Sequence, residues 1–145
     1  PSSRSYFELA CAHVHAKNHD AALQAFAKAN ELDKYNIDVL NNLGITFFNE
    51  GQRAKAIKIL LAALKIHPDK ATSFNNPYPF SSLFATIGTV FKEQGEFKKA
   101  IVAYEKAIRM GHPDKELLQA HVDGMNQNLS GRVTPKYQFS AGFEK

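Results

Sequence analysis

The chain has 145 residues, of which 44% are hydrophobic and 22% are charged, a composition typical of one globular domain and unlike that of a disordered chain. Its 18 basic residues exceed its 14 acidic residues by four, which is too small an excess to indicate a nucleic-acid-binding protein. The longest apolar run, Ile59 to Leu64, is far too short for a membrane-spanning helix, so we expect no membrane segment in this chain. A single cysteine, Cys11, excludes an internal disulfide and any multi-cysteine metal site.

The first residues, Pro1 to Ser5, contain no apolar segment of the kind found in a secretion signal. Because the chain begins with proline and not with methionine, we expect a processed form or an excised part of a longer protein. We therefore expect a cytoplasmic location, unless a targeting sequence precedes Pro1.

Large residues recur with the i, i+3, i+4, i+7 spacing of one helix face in three segments of the chain. No part of residues 3–114 sustains the alternation that is typical of a strand, so the sequence predicts an all-α fold. The residues with helical spacing are Tyr6, Leu9, Ala10 and His13, then Leu40, Leu43, Gly44 and Phe47, then Phe97, Ala100, Ile101, Tyr104, Ala107 and Ile108.

Small residues recur along the chain at a fixed interval. Gly44 is followed seven residues later by Gly51, and Gly88 is followed in the same way by Gly95. Small residues on both helices of a pair let two helix backbones approach closely. The second glycine of each set stands where the first helix must end, in a position that favours a left-handed backbone. Glycine spacing therefore predicts two successive helix pairs of the same design.

Alanines mark the second helix of each pair. The step from Ala22 to Ala56 is 34 residues, and the step from Ala56 to Ala100 is 44 residues, which equals one repeat plus an insertion of ten. Three repeats are therefore predicted, at residues 3–36, 37–70 and 81–114, with an insertion at 71–80.

This pattern resembles the tetratricopeptide repeat family, whose signature combines a large residue, Leu-Gly, an aromatic, Ala, an aromatic, Ala and a closing proline. Pro68 and Pro113 close the second and third repeats, whereas repeat 1 has Lys17 at the inter-helix glycine position and Lys34 at the closing proline position. The resemblance implies an α-solenoid, a right-handed superhelix of antiparallel helix pairs.

A single apolar stripe follows the third repeat. A one-sided helix at this point would cover the exposed end of a solenoid, so we predict a capping helix at 115–129 and one repeat domain over residues 1–130. The stripe consists of Leu118, Val122, Met125 and Leu129.

The resemblance implies a concave groove lined by positions two, five, nine, twelve and thirteen of each repeat. This lining mixes apolar and amide side chains, so the groove is predicted to bind a peptide or helix segment of a partner protein through apolar anchors. The groove residues are Arg4, Phe7, Cys11, Val14 and His15 in repeat 1, Asp38, Asn41, Ile45, Phe48 and Asn49 in repeat 2, and Ser82, Ala85, Thr89, Lys92 and Glu93 in repeat 3.

Catalytic motifs are lacking in the sequence: it contains no P-loop, dinucleotide-binding glycine pattern, nucleophile elbow or HExxH. His15 and His19 have the spacing of a helical metal pair, but the first falls at the end of one predicted helix and the second in the following turn. Cys11 has no neighbouring base that the sequence fixes. We expect no enzyme, no cofactor and no metal site.

Chaperone adaptors of this family grip a C-terminal carboxylate with two lysines, two asparagines and an arginine. At the matching positions this chain has Phe7, Cys11, Asn42, Ser82 and Thr86, so only Asn42 agrees. Without several cations, nothing compensates the desolvation of a buried carboxylate, so an adaptor of this type is not expected.

The insertion at 71–80 contains two prolines and three aromatic residues, Phe74, Tyr78 and Phe80. One interpretation is a loop packed over the seam between repeats 2 and 3. The other is a binding loop, because long ordered loops in compact domains are often functional.

The tail at 131–145 carries aromatic or small residues at alternate positions, namely Tyr137, Phe139, Ala141 and Phe143. In an extended conformation it would present one aromatic face. Two interpretations remain open, packing on its own solenoid and insertion into the groove of a second copy.

Together these features predict a non-catalytic protein–protein interaction module that acts as an adaptor or scaffold. The alternatives are a self-associating assembly scaffold, a regulatory domain of a larger enzyme, and a nucleic-acid-binding helical repeat. We expect no nucleic acid partner because many lysines fall on the second helices, on the predicted convex side. These lysines are Lys55, Lys58, Lys65, Lys98, Lys99 and Lys106.

Overall fold

Residues 1–131 are described by a computed structural model, in which they form seven α-helices. Within this range no strand forms, and one isolated parallel bridge joins Asn36 to Thr72. The prediction of an all-α fold is therefore confirmed. The predicted tail at 131–145 lies outside the described residues except for Gly131. The helices are α1 (Ser3–His15), α2 (His19–Leu32), α3 (Ile37–Asn49), α4 (Arg53–Leu64), α5 (Pro79–Glu93), α6 (Phe97–Arg109) and α7 (Lys115–Leu129).

Local side-chain chemistry determines where three of the helices begin. The hydroxyl of Ser2 accepts a hydrogen bond from the backbone N–H of Ser5 at 3.0 Å, which caps α1. Asn36 caps α3 in the same way, through its bond to the N–H of Val39 at 3.1 Å. Pro79 is the first residue of α5, where a missing N–H leaves no helical hydrogen bond unmade.

A left-handed residue ends the first helix of each pair. Gly51 and Gly95 both have φ of +80°, as the glycine spacing predicts. Lys17 occupies the equivalent position in the first pair and has φ of 61°, although it is not a glycine. The N–H that follows it, on Asn18, donates to the carbonyl of His13 at 2.8 Å. Repeat 1 therefore keeps the same turn without the residue that favours it.

Glycines on the first helices allow close approach of the second helices. A Cβ added at Gly44 would lie 2.6 Å from Cδ2 of Leu60, and one added at Gly88 would lie 2.7 Å from Cδ1 of Tyr104. The alanines that mark the second helices are fully buried. The second and third pairs are thus held by a large side chain that fills the space left by a glycine.

The core is divided along the chain into three clusters, as expected of a solenoid in which each pair contacts only its neighbours. Leu118, Val122 and Met125 of α7 are buried and join Tyr104 in the last cluster. None of the helices within residues 1–131 is long and apolar enough to cross a membrane.

The predicted insertion at 71–80 overlaps the start of α5. Its last two residues, Pro79 and Phe80, form the first turn of α5 because proline is well tolerated there. Phe80 is half-buried against the central core cluster and is not a loop residue.

Candidate binding groove

Three parallel stripes of side chains follow the first helices of the pairs. In each stripe the residues are spaced by four and three, which places them on one helix face. All of them are half-buried except Thr89, which is exposed. The stripes are Phe7, Cys11 and Val14 on α1, Asn41, Ile45 and Phe48 on α3, and Ala85, Thr89 and Lys92 on α5.

The insertion reaches beyond the seam between repeats 2 and 3. Its backbone pairs with the turn before α3, where Thr72 accepts from the N–H of Ile37 at 2.8 Å and donates to the carbonyl of Tyr35 at 2.9 Å. The Thr72 hydroxyl donates to the carboxylate of Asp33, with oxygen distances of 2.9 and 3.0 Å. The loop therefore spans repeats 2 and 3, where Asn76 contacts Asp38 and Ser82, and it is also fastened to the junction of repeats 1 and 2.

Asp38 is buried, with 8% of its surface exposed, and its carboxylate faces the insertion. One oxygen accepts from the backbone N–H of Phe74 at 2.6 Å, and the other accepts from the side-chain amide of Asn76 at 3.2 Å. Asp38 lies at a predicted groove position, and two donors from its own chain already satisfy its carboxylate.

The ring of Phe74 lies against the first helix of the solenoid. Its centroid is 5.0 Å from that of Phe7, and Phe7 in turn lies 5.9 Å from the buried Phe26. The guanidinium carbon of Arg4 lies 5.5 Å from the centroid of the Phe74 ring, within cation–π range. The insertion thus places an aromatic side chain on the predicted groove lining of repeat 1.

The insertion contacts the second position of all three repeats. Phe74 meets Arg4 and Asp38, and the amide of Asn76 also lies 3.3 Å from the hydroxyl of Ser82. One short segment therefore crosses the starts of all three first helices.

The aromatic residues of the predicted binding loop do not converge on one surface. Tyr78 is 46% exposed, and its ring approaches Gly111 in the turn after α6. Phe80 packs into the core, and only Phe74 lies on the groove lining.

The other end of the groove is engaged by α7. The Nζ of Lys92 lies 3.0 Å from Nδ1 of His121, and the His121 ring stacks on Tyr104 with centroids 5.7 Å apart. Partial burial and the charge of Lys92 together lower the pKa of His121. A neutral imidazole can accept a hydrogen bond from the Lys92 ammonium at Nδ1.

Thr89 and Tyr104 share a hydrogen bond of 2.8 Å between their hydroxyl oxygens. Burial raises the pKa of Tyr104, which keeps this phenol protonated at neutral pH. The polar side chains of the α5 stripe therefore have partners within the chain.

The α3 stripe, in the middle of the predicted groove, carries partly exposed apolar side chains. Ile45 and Phe48 are half-buried apolar residues on α3, and the neighbouring Asn49 is exposed. The guanidinium carbon of Arg53 lies 5.5 Å from the Phe48 ring centroid. The Oδ1 atom of Asn41 is buried and has no hydrogen-bond partner among the described residues. What this stretch offers to a ligand is therefore apolar contact area.

Three further observations concern chemistry in the described part of the chain. Burial, with a smaller contribution from Glu8, raises the pKa of the Cys11 thiol, so this thiol is less reactive than an exposed cysteine. Within residues 1–131, no group of three or more histidine, cysteine or acidic side chains is arranged to hold a metal ion. At the clamp position that agrees with chaperone adaptors, Asn42 donates to the carbonyl of Asp38 at 2.8 Å.

Two side chains with contacts to the groove residues, Arg53 and His121, were not predicted from the sequence, because they lie on helices that the repeat positions do not assign to the groove. Phe74 belongs to the predicted binding loop, but its contact with Phe7 was not predicted. A signal existed only for Arg53, because the short turn after α3 brings the start of α4 close to Phe48.

The stacked pairs and the parallel stripes define a helical-repeat protein of the solenoid class. Two profiles described as "Tetratricopeptide repeat" match residues 13–73 and 81–110, which together make up more than half of the chain. The chain belongs to the tetratricopeptide repeat family.

Among curated proteins, the chain is similar to Small glutamine-rich tetratricopeptide repeat-containing protein 2 of Mycosarcoma maydis, with 27% identity over 115 residues. That match covers 79% of this chain and 30% of the relative. It is also similar to Peroxisome biogenesis protein 5 of Arabidopsis thaliana, with 36% identity over 86 residues, covering 57% of this chain and 12% of the relative. The chain thus spans less than a third of the length of either relative.

Among solved structures, the chain is similar to the first TPR of Spaghetti (RPAP3) bound to the HSP90 peptide SRMEEVD, with a TM-score of 0.73 and 15% identity, covering 89% of this chain and 94% of that one. The TPR2AB–pHSP90 complex of yeast Sti1 gives a TM-score of 0.77 and 23% identity, with 90% and 48% covered. The Sgt2 TPR domain of Aspergillus fumigatus gives 0.74 and 19%, with 92% and 83% covered. These likenesses establish the fold.

Proposed function

We propose that this chain is a non-catalytic interaction module that binds a segment of a partner protein in the middle of its groove. The observation that carries the proposal is the α3 stripe, where Ile45 and Phe48 leave apolar area partly exposed. Apolar anchors of this kind suit a peptide that inserts aliphatic or aromatic side chains.

The similar structures support a peptide ligand in general, because two of them hold HSP90 peptides. The groove of this chain differs in chemistry from the carboxylate clamp of chaperone adaptors. Phe7 and Cys11 occupy two of the positions where chaperone adaptors carry polar or cationic clamp residues, and Phe7 is already covered by Phe74. A carboxylate bound there would lose its hydration without gaining an ion pair.

A capture experiment with three variants tests the proposal. Proteins retained by the immobilised wild-type chain should be lost from Phe48→Ala and reduced on Asn41→Ala. Leu61→Ala removes a similar apolar side chain from an exposed position of α4 and serves as the matched control. Because Phe48 also packs against the core, the melting temperature of each variant is measured first. Proteins that all three variants retain equally would show that the groove is not the binding surface.

A direct titration with SRMEEVD tests the ligand chemistry. We expect no saturable binding at peptide concentrations that saturate a chaperone adaptor. Binding that depends on the terminal carboxylate would contradict the apolar ligand proposed here.

A further inference from the structure

The contacts of Phe74 form an arrangement that recognises an aromatic residue. The Asp38 carboxylate accepts from the backbone N–H of Phe74 at 2.6 Å, and Phe7 packs on the Phe74 ring. The guanidinium carbon of Arg4 lies 5.5 Å from the centroid of the same ring. A buried carboxylate for the main chain and an aromatic–cation surface for the side chain are the two elements of a peptide-binding subsite.

We propose that Arg4, Phe7 and Asp38 form an aromatic subsite for a partner segment, and that the chain's own insertion occupies this subsite and competes with that segment. The inference deepens the proposed function and rests on it, because it names the chemistry of one part of the partner. All three residues stand at groove positions of the first helices, whereas their occupant comes from the segment that interrupts the repeats.

The conformation of the insertion specifies the ligand further. Asn75 has φ of 58°, and the Ser73 hydroxyl donates to the carbonyl of Asn76 at 3.0 Å, so the segment turns directly after Phe74. The turn brings the Asn76 amide to the second oxygen of Asp38. The matching partner segment therefore has three consecutive residues: an aromatic residue, a residue that accepts a left-handed conformation, and an asparagine.

Because the insertion is tethered to the chain, it can keep the subsite occupied even if its own contacts are weak. Thr72 fastens the insertion to the turn before α3, and Pro79 begins α5 a few residues later. A ligand held on such a short tether has an effective concentration in the millimolar range. A free segment of the same sequence therefore competes poorly until the tethered copy is removed.

The test uses an acetylated and amidated peptide with the sequence of residues 72–78, labelled with a fluorophore. It is titrated into the wild-type chain and into the double variant Phe74→Ala/Asn76→Ala, which empties the subsite. The peptide should bind the double variant at least about tenfold more tightly, because the subsite is no longer occupied. Tyr78→Ala, which changes an insertion aromatic outside the subsite, is the matched control and should behave as the wild type.

Two further changes identify the contacts. A peptide with alanine in place of its phenylalanine should not bind the double variant. Adding Arg4→Ala to the double variant should weaken binding of the original peptide about two- to fivefold, as expected for an exposed cation–π contact. The single variant Phe74→Ala replaces the double variant if the latter melts far below the wild type.

The proposal would be overturned if the peptide bound the wild type and the emptied variant with equal affinity, or bound neither. The Phe74 contact would then be purely structural. A wild-type dimer in sedimentation velocity that is lost in the emptied variant would also overturn it, since the occupant would then be a second copy. The peptide titration needs no natural partner and does not involve Asn41 or Phe48. Its failure is therefore distinguishable from failure of the capture experiment.

Discussion

Gly88 faces the ring of Tyr104 so closely that an added Cβ would lie 2.7 to 3.0 Å from three of its ring carbons. The ring has little freedom to move away, because Tyr104 is 2% exposed and its hydroxyl is bonded to Thr89. The distance between α5 and α6 is therefore set by the absence of a side chain at one position.

Gly88→Ala should destabilise the fold by about 1–3 kcal/mol, because the overpacking outweighs the higher helix propensity of alanine. Gly124→Ala is the matched control, since a Cβ there meets nothing within 4 Å. It should stabilise the chain by about 0.5–1 kcal/mol. Urea denaturation followed by circular dichroism measures both changes. An increase in stability for Gly88→Ala would disprove the close contact.

Lys17→Gly should stabilise the chain by about 0.5–1 kcal/mol, because Lys17 adopts a left-handed conformation that costs a non-glycine residue roughly this much or more. Lys58→Gly, in the interior of α4, is the control and should lose about 1 kcal/mol. Thermal melts of the two variants should therefore shift in opposite directions. A lower melting temperature for Lys17→Gly would indicate that the lysine side chain makes a contact that outweighs the backbone strain.

The His121 contact predicts a specific dependence of stability on pH. The pKa of His121 is lower in the folded chain than in the unfolded chain, so the unfolded chain binds a proton first as the pH falls. Stability should decrease as the pH drops through the unfolded value of about 6.5, until the folded histidine also becomes protonated. His121→Gln should remove this part of the decrease.

Denaturant titrations between pH 7.5 and 5.5 measure this effect, with His15→Gln, a change at an exposed histidine of α1, as the control. The control should keep the wild-type dependence on pH. A His121→Gln variant with the same dependence as the wild type would show that this histidine is not responsible.

Cys11 should react slowly with iodoacetamide in the folded chain. Its half-buried position limits access of the reagent, and its raised pKa reduces the fraction of thiolate at pH 8. We expect a rate about tenfold below that of the same thiol in urea. Glu8→Gln removes the smaller of the two causes and should increase the rate modestly. A folded chain that reacts as fast as the unfolded one would contradict the burial of the thiol.

The repeat architecture was predictable from the sequence because it depends on local and periodic chemistry. Gly51 and Gly95 end helices through their own backbone conformation, and Gly44 and Gly88 accept a side chain from the next helix along the chain. Such contacts join residues close in sequence, so their spacing is visible as a pattern.

The path of the insertion was decided only by the tertiary structure. Phe74 lies on Phe7, and its N–H bonds to Asp38, although neither partner is near it in the sequence. An irregular segment has no period, and its backbone donors accept any well-placed oxygen. Sequence alone therefore determined the solenoid, whereas only the folded chain determined that Phe74 of the insertion packs on Phe7 at one end of the predicted groove.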